Sequence, residues 1–146
     1  PYRVDAGLEN GCDQTFNAQE DDATARLRDV TRGRGPDICI DATNANTALP
    51  HAVHAARPMG RVVHVGISGH EEDPVPVAPA RRKQLTLQWV RRFCHDYPAA
   101  IHWADTKRVD IGKLITHSYP LEKSLEAFNI VADYADNVLK ASIDRD

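Results

Sequence analysis

Cysteine is scarce in this sequence: Cys12, Cys39 and Cys94 are the only three among 146 residues, and none falls in a Cys-x-x-Cys spacing. That spacing excludes a disulfide framework and gives no sign of a structural zinc site, so a reducing, cytoplasmic setting is expected. Long apolar runs are missing too, and none approaches the ~18 residues that crossing a bilayer requires. The opening residues, Pro1-Tyr2-Arg3-Val4-Asp5, are not basic-then-apolar, and no signal peptide is expected. A strong excess of one charge is also absent. The net charge of −3 supplies no attraction for nucleic acid or an acidic membrane, and neither is expected as a partner. No internal repeat or low-complexity segment occurs. What remains is a globular composition, 42% hydrophobic and 27% charged, in a chain long enough for one domain with a real core.

Residues 33–66 carry the clearest organisation. Gly33-Arg34-Gly35-Pro36 is a cluster of backbone breakers. It leads into Asp37-Ile38-Cys39-Ile40-Asp41, short, apolar and β-branched, the pattern of a buried parallel strand. Ala42-Thr43-Asn44 is small and polar, as where a strand gives way to a helix. The helix is predicted over residues 46–56 and stops at Arg57-Pro58-Met59-Gly60. Arg61-Val62-Val63-His64-Val65-Gly66 is a second apolar strand ending on glycine. A strand–helix–strand unit of about 30 residues implies a parallel sheet covered on both faces. Such sheets bind ligands in the crevice beyond the carboxyl ends of their strands, and Thr43 and Gly66 stand at two such ends.

Before this unit, the pattern predicts a helix over residues 3–9 stopped at Asn10-Gly11, then a short strand over 14–17. A helix follows over 23–31, capped by Asp22 or Thr24. After the unit come an extended loop over 67–80 with three prolines, a half-buried strand over 85–90 and a helix over 98–107. A strand over 114–120, a helix over 121–134 with Leu121, Leu125, Phe128 and Val131 on one face, and a strand over 138–143 complete the chain.

Taken in order, Gly33-Arg34-Gly35-Pro36-Asp37, Asp41-Ala42-Thr43, Arg57-Pro58-x-Gly60-Arg61-Val62-Val63 and Val65-Gly66 resemble the second half of the cofactor domain of medium-chain zinc-dependent alcohol dehydrogenases. Val90-Arg91-Arg92-Phe93-Cys94-His95-Asp96-Tyr97-Pro98 is similar to the sorbitol and xylitol, or polyol, dehydrogenase branch. So are Leu114-Ile115-Thr116-His117-Ser118-Tyr119-Pro120-Leu121-Glu122-Lys123 and Glu126-Ala127-Phe128. The resemblance covers nearly the whole chain. It implies an α/β fold: a partial doubly wound, Rossmann-type parallel sheet lacking its first strands, followed by a C-terminal segment of the catalytic domain. Residues 1–93 would be the incomplete dinucleotide-binding domain and residues 94–146 the returning segment.

The same resemblance implies an oxidoreductase that transfers a hydride from a secondary alcohol or polyol to NAD(H) or NADP(H), with zinc as Lewis acid in the intact family. In that family the Gly-x-Gly-x-x-Gly turn, the acidic ribose selector and the zinc ligands precede the point where this sequence begins. No Gly-x-Gly-x-x-Gly occurs here. The leading Pro1 fits a truncated gene product or a processed fragment. Such a chain is expected to be inactive alone, to bind cofactor weakly and to form a homo-oligomer. Asn44 and Met59 stand where relatives commonly carry glycine.

The resemblance carries Thr43, Gly66, Ile67, Arg92 and Phe93 over as contacts to the nicotinamide and its ribose, and Arg3 as a basic residue near the adenosine ribose. The residue chemistry agrees. Glycine lets a backbone approach a ligand, and arginine neutralises a pyrophosphate or hydrogen-bonds a hydroxyl. Each has a plainer alternative: an ordinary strand-ending glycine, a solvated arginine beside a core aromatic, and a solvated helix charge. His51, His54 and His64 show no set of three or four converging ligands, so no metal site is assigned. Cys94-His95 has no orienting carboxylate placed by the sequence, so no catalytic residue is assigned. Arg81-Arg82-Lys83 reads as a solvated face before a strand. Two other readings stay open: a non-catalytic remnant or oligomerisation module, and a relative of the quinone reductases or threonine dehydrogenases.

Overall fold

The computed structural model describes residues 2–145; Pro1, on which the expectation of a truncated start rests, lies outside the described residues. In chain order the helices are α1 Tyr2–Glu9, α2 Ala23–Val30, α3 Ala48–Ala55, α4 Val77–Arg82, α5 Tyr97–Asp105 and α6 Ser124–Ala132. The strands are β1 Ile38–Asp41, β2 Arg61–His64, β3 Thr86–Trp89, β4 Ile115–Pro120 and β5 Lys140–Asp144. They divide into two compact units, residues 16–94 and residues 2–15 with 95–145.

In the unit of residues 16–94, three parallel strands pair in the order β1-β2-β3. One register row joins Cys39 to Val62 and Val62 to Leu87. Helix α3 covers that row. Its apolar residues Leu49, Val53 and Ala56 recur at spacings of four and three, which places them on one face. Pro50 sits in its first turn, where no N–H is needed. Val53 is fully buried, and Leu49, Ala56 and Val62 are nearly so; burying a valine or leucine side chain contributes about 1.5–3 kcal/mol.

The expected two-sided cover is not found among the described residues. Ile38 and Ile40, on the opposite face of β1, are 55% and 67% exposed. The strands are added in one direction across the sheet, and right-handed crossovers then place both connecting helices on the same side. Ala80 of α4 accordingly packs on the same core as α3.

Two expected elements also change. Residues 14–17 form no strand, because no described segment offers them a hydrogen-bonding neighbour. The expected loop over 67–80 runs into α4, whose first turn tolerates Pro79 because that N–H has no helical acceptor. Smaller features match. Gly11 closes α1 with φ +97°, and Asp22 caps α2 by accepting a hydrogen bond from the Ala25 N–H at 3.0 Å. Met59 holds a left-handed φ of 58° where glycine would fit at about 1 kcal/mol less strain, whereas Asn44 is not among the positive-φ residues.

Lys83 departs from the solvated face read for Arg81-Arg82-Lys83. Its Nζ donates to the carbonyls of Val53, His54 and Ala56 at 3.2, 2.7 and 2.8 Å, closing the C-terminus of α3. Burial, and after it the nearby Arg28, push the Lys83 ammonium pKa below its ordinary value. Nearby, Asp37 accepts from Arg34 and Arg57, each at 2.6 Å. Hydrogen bonds from Arg34 and then Arg57 hold its carboxyl down at about 2.

The other unit pairs β4 with β5 in parallel, with α6 against both and Ala127 and Val138 buried. Tyr2 donates its hydroxyl to the Val138 carbonyl at 3.1 Å. The apolar residues of α6 and the turn before it, Leu121, Leu125 and Phe128, are exposed. Among the described residues, no helix is long and apolar enough to cross a membrane.

Removing the Lys83 ammonium takes its hydrogen bonds from the carbonyls of Val53, His54 and Ala56 and leaves His54 only the long 3.4 Å bond from Arg28. Lys83→Met is expected to lower the unfolding free energy by about 2 kcal/mol, since a hydrogen bond from a charged donor contributes about 1.5–3 kcal/mol. Urea unfolding followed by circular dichroism measures it, and an unchanged midpoint would contradict this role for Lys83.

Candidate functional site

The parallel register sets Asp41, His64 and Trp89 side by side at the carboxyl ends of β1, β2 and β3. Asp41 is 4% exposed. A carboxylate out of water is costly without partners, and Asp41 has three. The Thr43 backbone N–H and hydroxyl both donate to its Oδ1, at 3.0 and 3.1 Å, and His64 Nδ1 lies 2.9 Å from Oδ2. His64 Nε2 lies 3.4 Å from Asp73 Oδ2, so the loop after β2 is tied to the sheet end through the same ring. In the sequence His64 stands out only as a metal-ligand candidate, Asp41 only as a strand end and part of the family resemblance, and Asp73 not at all. A signal was available: Asp41 and His64 each end an apolar strand in one strand–helix–strand unit, so a parallel pairing makes them neighbours.

Thr43 and Gly66 are brought into contact. The Val65 and Gly66 N–H groups both donate to the Asp41 carbonyl, at 2.8 and 2.9 Å. A methyl group on Gly66 would overlap the Thr43 carbonyl oxygen and come within 3.0 Å of its nitrogen and carbonyl carbon. The glycine is therefore required by the chain's own backbone, whatever a ligand requires. Ile67, next in sequence, is 65% exposed.

Arg92 and Phe93 follow β3 beyond its carboxyl end, both exposed. These five residues thus belong to the chain just past three adjacent strand ends. Arg3 lies in the other unit, where its Nε donates to the Tyr2 hydroxyl at 3.1 Å and its guanidinium stands 5.1 Å from the Tyr134 ring centre.

Beside β1, a crevice of about 400 Å³ opens between α2, α3 and the strand, with Asp41, Thr43 and His51 on its wall. Cys39 also lines it, but burial pushes its thiol pKa up, which disfavours a nucleophilic thiolate. No group of three or more His, Cys, Asp or Glu side chains among the described residues is arranged to hold a metal ion.

The profile of the family described as zinc-binding dehydrogenase matches residues 1–106. Sorbitol dehydrogenase from Gallus gallus is 32% identical over 129 residues, which is 86% of this chain and 36% of that protein. Sorbitol dehydrogenase from Homo sapiens is 32% identical over 128 residues, 86% of this chain and 36% of that protein. The solved alcohol dehydrogenase TADH from Thermus sp. ATN1 superposes with a TM-score of 0.88 at 26% identity, covering 99% of this chain and 42% of that one. The chain therefore spans well under half the length of these relatives.

Gly66→Ala should force the two loop backbones apart. The expected loss of stability is about 1–3 kcal/mol, typical of overpacking, together with displaced amide resonances at Thr43 and Val65. A variant with parental stability and an unshifted Thr43 amide would show that the approach is looser than described.

Proposed function

Because the chain belongs to the zinc-binding dehydrogenase family, we propose that it forms the nicotinamide end of a dinucleotide site in an oxidoreductase acting on a secondary alcohol or polyol. The observation supporting this reading is the position of Thr43, Gly66, Ile67, Arg92 and Phe93 just past three adjacent carboxyl strand ends, where parallel α/β sheets take their ligands. In the proposal Asp41 holds Thr43, the turn at Gly66 brings a backbone edge and Ile67 against the ring, and Arg92 meets a ribose or phosphate oxygen. Arg3, in the other unit, is assigned on its own as a basic residue near an adenosine ribose. NAD(H) or NADP(H), when bound, supplies the hydride acceptor or donor. Residues 1–93 are assigned to the cofactor domain and residues 94–146 to the catalytic one, in a cytoplasmic enzyme. The residues described do not fit a zinc site.

The test is a titration of the 146-residue chain with NADH, followed by amide resonances. Weak saturable shifts are expected at Thr43, Gly66, Ile67 and Arg92. The dissociation constant should be millimolar or weaker, about 4 kcal/mol or less of binding free energy, because no glycine-rich turn is present for the pyrophosphate. Shifts confined to other residues, or low-micromolar binding, would overturn the assignment. Zinc- and alcohol-dependent reduction of NAD by this chain would overturn the expectation that it is inactive alone.

Homo-oligomer formation belongs to the same proposal. Strands β1 and β3 are sheet edges, and exposed apolar edges favour pairing with another chain. Sedimentation at micromolar concentration should give a dimer or larger species; a monomer would exclude stable edge pairing.

A further inference from the structure

The amino end of the three-stranded sheet, opposite the carboxyl strand ends of Asp41, His64 and Trp89, is knit into a firm floor. The Arg57 N–H donates to Pro36, the Arg61 N–H to Asp37 and the Met59 N–H to Lys83, at 3.1, 2.9 and 2.7 Å. A cavity of about 270 Å³ is lined by Arg28, Arg34 and Lys83 together with the apolar Ala55, Ala56 and Pro58. No carboxylate lines it. The neighbouring Asp37 is shared between Arg34 and Arg57. Among the described residues, neither Arg28 nor Lys83 has a carboxylate within 4.0 Å.

The two unpaired cations differ in what they have left to offer. Lys83 spends its three N–H groups on the carbonyls of Val53, His54 and Ala56, so it contributes charge alone. Arg28 makes one long bond, from Nη2 to the His54 carbonyl at 3.4 Å, and most of its donors remain. The C-terminus of α3 supplies only about half a negative charge against two full positive ones. A site with surplus positive charge, a guanidinium fork facing a cavity and no anion of its own lacks a counter-charge. We propose that this cavity binds a phosphate-type oxyanion, with Arg28 as its principal hydrogen-bond donor and Lys83 and Arg34 as supporting charges. The fork of arginine matches two oxygens of such a group. The anion is either free phosphate or the head of a small phosphomonoester, and the proposal is independent of the cofactor reading.

The experiment follows backbone amides of the intact 146-residue chain during titration with sodium phosphate, with glycerol phosphate, and with sodium chloride at matched ionic strength. Phosphate should give saturable shifts at Gly33, Arg34 and Gly35 with a dissociation constant in the millimolar range or tighter. Arg28→Gln should weaken it by about tenfold or more, Arg28→Lys should retain part of it, and Arg91→Gln, past the opposite end of β3, should leave it unchanged. Tighter binding of glycerol phosphate assigns the site to a phosphomonoester, and weaker binding assigns it to free phosphate. Shifts that never saturate, that chloride reproduces, or that persist unchanged in folded Arg28→Gln and Arg28→Lys would overturn the proposal.

Discussion

Hydrogen bonding of β1, β2 and β3 in a single parallel register is the constraint from which the unit of residues 16–94 takes its geometry. With Ile38 opposite Arg61 and Arg61 opposite Thr86, each later row is fixed: Cys39–Val62–Leu87 for the core, then Asp41–His64–Trp89 at the end. A slip of one residue would exchange the faces. Cys39 would leave α3, and the Asp41 carboxylate would lose its imidazole. Burial of Val62 beneath Val53 and satisfaction of Asp41 are thus two consequences of the same pairing.

The carboxyl end of this sheet is organised around a buried charge rather than an open apolar pocket. Asp41 accepts from Thr43 and His64 through its side chain and from Val65 and Gly66 through its carbonyl. One residue therefore sets the separation of the two loops that follow β1 and β2. Asp73 on the far side of His64 extends the link to the loop before α4. This explains why a glycine is needed at position 66: the loops are held so close that a Cβ would meet the Thr43 backbone.

Much of this was legible in the sequence, for identifiable reasons. The strand–helix–strand unit could be read because breaker clusters bound it and because Leu49, Val53 and Ala56 repeat at helical spacing. The carboxyl-end placement of Thr43 and Gly66 followed from parallel topology. Three features were not legible. Residues 14–17 have strand-like composition, but a strand forms only with a neighbour, a property of the rest of the chain. Three prolines in residues 67–80 suggested extended structure, yet Pro79 falls in the one turn of a helix that tolerates it. Lys83 looked like one more surface cation because nothing local distinguishes it from Arg81 and Arg82. Only the position of α3, some 30 residues earlier, turns its ammonium toward three carbonyls.

The different character of the two sheet ends follows from the direction of α3. A helix joining two parallel strands must run antiparallel to them, so its N-terminus lies at the carboxyl end of the sheet and its C-terminus at the amino end. The partial charges at the helix ends are distributed accordingly. At the amino end, unsatisfied carbonyls of α3 draw in Lys83 and Arg28, two cations that oppose each other: after burial, Arg28 is the next cause lowering the Lys83 pKa. Asp37 cannot relieve them, since two arginines already claim it. At the carboxyl end the buried carboxylate of Asp41 is met by Thr43 of the loop after β1 and by His64 of β2, and Arg92 beyond β3 stays exposed. Positive charge thus remains uncompensated at one end because the helix demands more donors than neutrality allows. At the other end, the internal charges are largely settled before any ligand arrives.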